Sequence, residues 1–355
     1  MTYRVIQWST GNVGRHAVRL IAHHPELELV GLWVHSADKA GKDAGELVGI
    51  EHLGVTATND VDALLALDAD CVCYTATADL RPAEAIADMA RIAASGKNIV
   101  SSSVVPLVFP EHVEPGLRRP LEEACASARV SCFTSGIDPG WANDLLPLVL
   151  TGTGEYVTTL RVMEIVNYAT YAQPTVLFDT MGFGQPLDAT PLLLTPGVLS
   201  FAWGGTVKAL AAGLGVEIDE LVEIHERRPA PEKIDLGFGV VEEGTTAAMR
   251  FEVQGVIDGE PRIILEHVTR LDDALAPEWP QPAGHSGYRV IVTGNPSYTC
   301  DVQMMGDDGD HNTAGLVGTA GRLVNSIPAV CEAEPGLLSA LDLPLVTGKG
   351  LLRYP

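Results

Sequence analysis

The chain has 355 residues, 46% hydrophobic and 19% charged, with a formal net charge of −23. That length exceeds one average domain, and the apolar content supports a large core, which excludes a disordered chain. Nucleic acid, a polyanion, would be repelled by this charge, and no basic stripe offsets it.

In chain order, Tyr3–Trp8 reads as a short apolar strand, and Asn12–His24 carries helical periodicity through Val13, Ala17, Leu20 and Ile21. Leu27–Val34 is a second strand, its apolar run suited to a sheet covered on both faces. A third short strand is expected near Gly54–Thr58, then a helix over Val61–Leu67 and a strand over Ala69–Thr75. Pro82–Ser95 has proline in its first turn and Gly96 just past its end, both helix punctuation. Asn98–Ser102, Leu117–Ala128 and Val130–Thr134 follow as strand, helix and strand. Such alternation predicts a parallel sheet with right-handed crossovers.

Past SGIDPGWANDLLP the pattern changes. Strands are expected at Val157–Asn167, Leu221–Arg228, Thr245–Ile257, Arg262–Leu271, Tyr288–Thr293 and Tyr298–Met304, with one helix over Val198–Leu214. Asp258-Gly259 is a hairpin turn signal. Thr313–Asn325 returns to helix, before the IPAV and LDLPL stretches. The expected class is α/β: a Rossmann-like parallel sheet domain, residues 1–143 with 308–355, plus an α+β domain, residues 144–307, with a largely antiparallel sheet. Residue 3 already begins a strand, no charged leader precedes an apolar core, and no apolar run reaches membrane-spanning length. A cytoplasmic protein with no membrane partner is expected. The six cysteines sit mostly in apolar runs, and Cys71 and Cys73 form only a C-x-C on a strand, so they read as buried reduced thiols.

The segment Ser9-Thr10-Gly11-Asn12-Val13-Gly14 keeps the last two glycines of the dinucleotide fingerprint and replaces the first by Ser9. Gly11 would let the backbone approach a diphosphate, Gly14 would let the helix lie close to the strand, and the N–H groups of residues 12–14 would meet the phosphates. At the end of the second strand an acidic residue would hold the ribose of NAD; here His35, Ser36, Lys39 and Lys42 stand there with Asp38. That composition favours the second phosphate of NADP(H). Thr75, Ala76 and Thr77 after the fourth strand and Ser102 after the fifth lie at carboxyl ends, where cofactors pass in open α/β sheets.

The blocks STGNVGR, WVHSADKAGKDAGEL, SGIDPGWANDLLP, MGFG at 181–184, ALAAGLGVEIDELVE and RLVNSIPAV together resemble the dihydrodipicolinate-reductase-like dehydrogenases. Within these the chain is most similar to the branch of 2,4-diaminopentanoate dehydrogenase and the native amine dehydrogenases. The resemblance implies NADP-dependent interconversion of an amine with an imine or ketone plus ammonia. It also implies a substrate pocket around Asp138, Gly140 and Trp141, with Leu145 beside them, and a homodimer formed through the second domain. Amine dehydrogenases of this branch carry a glutamate just after the fifth strand; here Ser103–Val108 reads SVVPLV, with no acid before Glu111. The E-x-H-H-x-x-K and K-x-D-x-P-S-G-T blocks of dihydrodipicolinate reductase are also missing.

Other acid–base groups are therefore sought on the second domain. Period two on Val157–Asn167 puts Glu164 and Tyr168 on one side, while ion pairing of Glu164 with Arg161 is the plainer alternative. His267, on a strand with Leu265 and Thr269, suits proton exchange near neutral pH, and Tyr171 could hydrogen-bond a carbonyl oxygen. Trp141, Leu145, Tyr168, Tyr171 and Phe178 are candidate pocket walls. His23 and His24 close a helix, and the Asp307–His311 block reads as an exposed, flexible turn, so no metal site is expected. The leading reading is an NADP-dependent oxidoreductase for a small, mostly apolar imine, amine or carbonyl compound. The alternatives are a carbonyl reductase without ammonia handling and a non-catalytic NADP-binding sensor or scaffold.

Overall fold

The computed structural model describes residues 2–78 and 81–352. In chain order come β1 (Tyr3–Trp8), α1 (Asn12–His23), β2 (Leu27–Trp33), α2 (Ala44–Val48), β3 (Ala57–Thr58), α3 (Val61–Leu65), β4 (Cys71–Tyr74), α4 (Pro82–Ala94), β5 (Asn98–Ser101), α5 (Pro115–Ala128) and β6 (Ser131–Thr134). Then follow α6 (Leu145–Thr151), β7 (Tyr156–Asn167), α7 (Val198–Leu214), β8 (Glu220–Pro229), β9 (Ile234–Asp235), β10 (Val240–Val241), β11 (Thr246–Ile257), β12 (Glu260–Arg270), β13 (Gly287–Asn295) and β14 (Tyr298–Val302). The chain closes with α8 (His311–Glu332) and β15 (Gly336–Leu338). Two compact units result: one runs through Trp141 and resumes at Leu316, the other is Ala142–Gly315.

The first unit is built on a seven-stranded sheet, order β15-β6-β5-β4-β1-β2-β3. Every pairing in it is parallel. Parallel strands bury both faces, which explains their near-continuous apolar runs. Along β4, Cys71 and Cys73 join one core layer with Val18 and Ile21 of α1 and Leu323 and Ile327 of α8. Val72 and Tyr74 join the other layer with Ile86 and Met89 of α4 and Leu121 of α5. The alternate cysteines thus share a face, as period two requires. All six cysteines are free; Cys300 and Cys331 are only half-buried, against the expectation for the set. Burial pushes the Cys73 and Cys125 thiols up to about 12, so they stay protonated and inert.

One boundary departs from expectation. α8 does not stop before IPAV but continues through it to Glu332, with Pro328 inside the helix. Proline removes one backbone donor there. Ile327 and Val330 on either side are both fully buried in the first unit's core, and that apolar burial offsets the lost bond.

The second unit carries a six-stranded sheet, order β14-β13-β7-β12-β11-β8, in which only β7 and β12 pair parallel. α7 covers one face, its Leu199, Val207 and Leu210 packing with Leu160, Val162, Phe251, Val253, Ile263 and Leu265. The β11–β12 hairpin turns at Asp258 and Gly259, both with positive φ (53° and 75°), the paired left-handed residues that a tight two-residue turn demands. Arg161 of β7 pairs with Glu252 at 2.9 Å and with Glu266, while Arg250 pairs with both at 2.7 Å and with Glu226 at 3.2 Å. Glu266 and Glu252 are buried, and each has two guanidinium partners, the condition under which buried charge is tolerated. Arg161 is thereby committed away from Glu164.

Candidate cofactor turn and acid–base site

In the first unit β1 ends at Trp8 and α1 starts at Asn12, with no side chain capping the helix. Ser9 between them has φ +85°, the left-handed conformation that a glycine at the fingerprint's first position would adopt freely. Gln7, fully buried in β1, holds this turn: its Nε2 donates to the Ser9 carbonyl at 3.0 Å and to Thr75 Oγ1 at 2.8 Å. Thr75 Oγ1 in turn donates to the Trp8 carbonyl at 3.0 Å. Sequence reasoning missed Gln7; a lone amide in an apolar strand was the available signal.

A Cβ on Gly14 would lie 2.2 Å from the Ser9 carbonyl oxygen, so only glycine lets α1 approach β1 this closely. At Gly11 a Cβ would meet only Ser9 Oγ, at 3.6 Å. The missing side chain there is not needed for protein packing, and it leaves room beside an uncapped helix N-terminus. That combination fits a diphosphate.

After β2, His35 and Ser36 are exposed, and the His35 ring centre stands 6.0 Å from that of Trp33. Lys39 is half-buried, and its Nζ donates to Thr10 Oγ1 at 3.2 Å, so it reaches directly over the turn; Lys42 is exposed. The segment bearing both lysines is fastened to the chain before and in β3: Gly41 N–H donates to the Ala57 carbonyl, and Ala57 N–H to that of Lys42, both at 2.8 Å. Asp43 accepts from the N–H groups of Gly45, Leu53 and Gly54 at 2.8–2.9 Å. Burial pushes its carboxyl up, but those three donors and nearby His52 outweigh it and hold the group below the ordinary carboxylate range.

At the carboxyl end of β4, the Ala76 carbonyl accepts from the Ser103 hydroxyl, and the Thr77 carbonyl accepts from Arg81 Nε at 3.0 Å. Ser102 donates its N–H to the Tyr74 carbonyl at 3.3 Å. Arg81 was not singled out from sequence. Val104, next to Ser103, is buried with φ +56°, and Glu111 beyond it is exposed. In the loop after β6, Trp141 N–H donates to the Gly136 carbonyl at 2.9 Å across Asp138 and Gly140. Thr319 of α8 anchors this loop by accepting from Ile137 N–H at 3.2 Å.

In the second unit the parallel pairing of β7 and β12 sets Glu164 directly beside His267. Glu164 Oε2 lies 3.2 Å from His267 Nδ1 and accepts from the Tyr168 hydroxyl at 3.3 Å. The Tyr171 ring stacks on Tyr168 at 4.6 Å, and Gln173 donates to the Tyr171 oxygen at 2.8 Å. The imidazole is stacked on Phe251 at 4.7 Å and meets the edge of Trp203 at 4.9 Å. Glu164 and His267 are both more than nine-tenths buried. All four acid–base candidates of this unit are thus gathered in one cluster, together with Trp203 and Phe251, which sequence reasoning missed. Leu145 is half-buried at the start of α6, and Phe178 packs towards Phe238, 6.4 Å between ring centres.

A seven-stranded parallel sheet with a glycine turn at a helix N-terminus is the architecture of dinucleotide-binding domains. Residues 5–103 match the dihydrodipicolinate reductase N-terminus, and residues 141–350 match the 2,4-diaminopentanoate dehydrogenase C-terminal domain. Over 352 residues, 98% of either chain, the sequence is 43% identical to an amine dehydrogenase of Streptomyces virginiae. It is 25% identical to the 2,4-diaminopentanoate dehydrogenase of Acetoanaerobium sticklandii over 69% of this chain and 66% of that one. The amine dehydrogenase structure from Mycobacterium smegmatis shares the fold, with a TM-score of 0.76 at 18% identity over 98% of both chains. The protein belongs to the family of 2,4-diaminopentanoate and amine dehydrogenases, and it is an NAD(P)-dependent oxidoreductase. Among the described residues no helix is long and apolar enough to cross a membrane.

Proposed function

We propose that the protein uses NADP(H) to interconvert a small, mostly apolar amine with its imine or carbonyl counterpart. The first unit holds the cofactor, and the second binds the substrate and forms a homodimer. The observation that carries the chemistry is the Glu164–His267–Tyr168 cluster walled by Trp203 and Phe251. Its carboxylate supplies negative potential for an iminium cation, a task for which the buried Val104 is unsuited. His267 and Tyr168 exchange the proton that carbonyl or carbinolamine chemistry requires, while the aromatic walls exclude water and favour apolar substituents. Ser9–Gly14 would hold the cofactor diphosphate, and Lys39, Lys42, Ser36 and His35 the second phosphate; the bound nicotinamide supplies or takes the hydride. The Lys39 contact with Thr10 supports this NADP preference.

The test is NADPH oxidation with a panel of short aliphatic ketones and aldehydes, with and without ammonium. Turnover that requires ammonium supports amine formation. Turnover that ignores it supports a carbonyl reductase, the reading favoured by the absence of an acid at Val104. If NADPH binds but no compound turns over, a sensor or scaffold role replaces both. Glu164→Gln should lower kcat by about a hundredfold or more, with NADPH affinity unchanged; an unchanged kcat removes the cluster from the chemistry. Lys39→Ala should weaken NADPH binding by about tenfold in calorimetry and leave NADH binding unaltered. Equal effects on both cofactors would remove the preference for NADP.

A further inference from the structure

The Asp307–His311 block, expected to be a flexible turn, is closely hydrogen-bonded. Gly306 N–H donates to the Asp310 carbonyl at 3.0 Å, and Asp310 N–H donates to Asp308 Oδ1 at 3.1 Å. Asp310 Oδ1 accepts from Asn312 N–H at 2.6 Å and so caps the start of α8. This cap fixes the backbone of Asn312, a buried residue. The Asn312 carboxamide Nδ2 donates to the Asn167 carbonyl at 3.0 Å and to Thr170 Oγ1 at 2.7 Å. A backbone carbonyl can only accept, so the nitrogen of the amide must face it.

Both partners belong to the turn that carries the chain off the end of β7, with Tyr168 and Tyr171 on it. Asn167 is anchored in every other direction as well. Its N–H donates to Ser286 Oγ at 2.9 Å, its Nδ2 to Asp273 at 2.7 Å, and its Oδ1 accepts from Ala169 N–H at 2.9 Å. Tyr168 N–H donates to the Arg270 carbonyl at 2.8 Å. These bonds fix where the turn leaves the sheet. Asn312 is the group that reaches past Tyr168 and ties Thr170 as well, so it holds the turn on both sides of that tyrosine. The Tyr168 hydroxyl meets Glu164 at 3.3 Å, a distance that a small swing of the turn would break.

We propose that Asn312, set by the Asp310 cap, is a positioning residue for the reaction. It holds the 167–171 turn so that Tyr168 stays on Glu164 and Tyr171 stays stacked on Tyr168. The proposal rests on the reading of Glu164, His267 and Tyr168 as the acid–base cluster.

The experiment measures NADPH oxidation by the full-length enzyme with the small apolar ketone that the panel shows to be fastest. Asn312→Ala should lower kcat by roughly tenfold to a hundredfold, the range a displacement of about 1 Å produces, with the KM for NADPH within about twofold. Thr170→Val, which keeps shape and loses the acceptor, should give a smaller fall in kcat and carries the test if Asn312→Ala does not fold. The separating measurement places each substitution in a Tyr168→Phe background. A residue acting through Tyr168 has little further effect there, whereas general loosening of the unit lowers kcat equally in both backgrounds. Equal losses in both, or kcat unchanged in both substitutions while Tyr168→Phe is impaired, overturns the role of Asn312. If Tyr168→Phe and Glu164→Gln are themselves fully active, the acid–base reading fails and this proposal falls with it.

Discussion

Ser9 shows how a residue that weakens a motif on paper can still obey its physics. The fingerprint's first position requires a left-handed backbone, and Ser9 adopts it at φ +85° although it carries a Cβ. Gln7 and the Gly14 close approach hold it there from two directions. Ser9→Gly should therefore stabilise the protein by about 1 kcal/mol, raising the melting temperature by roughly 1–2 °C for a chain of this size. A melting temperature below that of the parent would show that strain at Ser9 is smaller than what the serine contributes by restricting the unfolded chain and by its Oγ, which accepts from Gly11 N–H at 3.3 Å. Part of the sequence reading holds in this segment: Gly14 is needed for close packing, and Gly11 leaves space. The conformation of Ser9 was not legible, because φ is set by what surrounds a residue and not by its type alone. Gln7 was overlooked for a related reason: its partners, Ser9 and Thr75, come together only in the folded sheet.

At the scale of elements, sequence shows periodicity well and partnership poorly. Ala69–Thr75 reads as a strand, and the structure places β4 within it at Cys71–Tyr74 with all four residues buried, as a parallel strand covered on both faces requires. The β11–β12 hairpin is legible from Asp258-Gly259, since few residue pairs accept two positive φ values in succession. By contrast, nothing local sets Glu164 beside His267. That register comes from a parallel pairing of strands roughly a hundred residues apart, with α7 and β11 supplying Trp203 and Phe251. Alternation along β7 puts Glu164 and Tyr168 on one side, where they meet, yet it offers Arg161 or another base as the partner of Glu164 and does not single out His267. The long-range bonds of Arg161 to Glu252 and Glu266 decide it. The extent of α8 was misjudged because Pro328 is a strong local stop signal, and only the buried stripe through Ile327 and Val330 outweighs it.

For the whole molecule, the charge of −23 hides a few carboxylates on which stability depends. Burial pushes Glu252 up, but Arg161, Gln254 and Arg250 hold it below the ordinary carboxylate range, as backbone donors do for Asp43. A carboxyl lowered in the folded state contributes stability above its unfolded pKa, about 4, and that contribution disappears as the pH falls through the folded value. Both units should accordingly lose stability on acidification below about pH 4. Glu252→Gln should cost about 3 kcal/mol at pH 7 in denaturant titrations, and the gap to the parent should narrow as the pH drops through that range. A gap of constant size would mean that Glu252 contributes by shape and not by charge.

The sheet of the first unit is completed by β15 pairing with β6, and its core by Leu323 and Ile327 of α8, residues made long after β1. On a ribosome the mixed-sheet unit is entirely synthesised before these pieces exist. The nucleotide-type unit therefore stays incomplete, lacking β15 and the share of one core layer that α8 adds to α1, until those residues have been made. A chaperone bound to the nascent chain would find that half-covered face, so a sheet begun before the second unit is closed only after it.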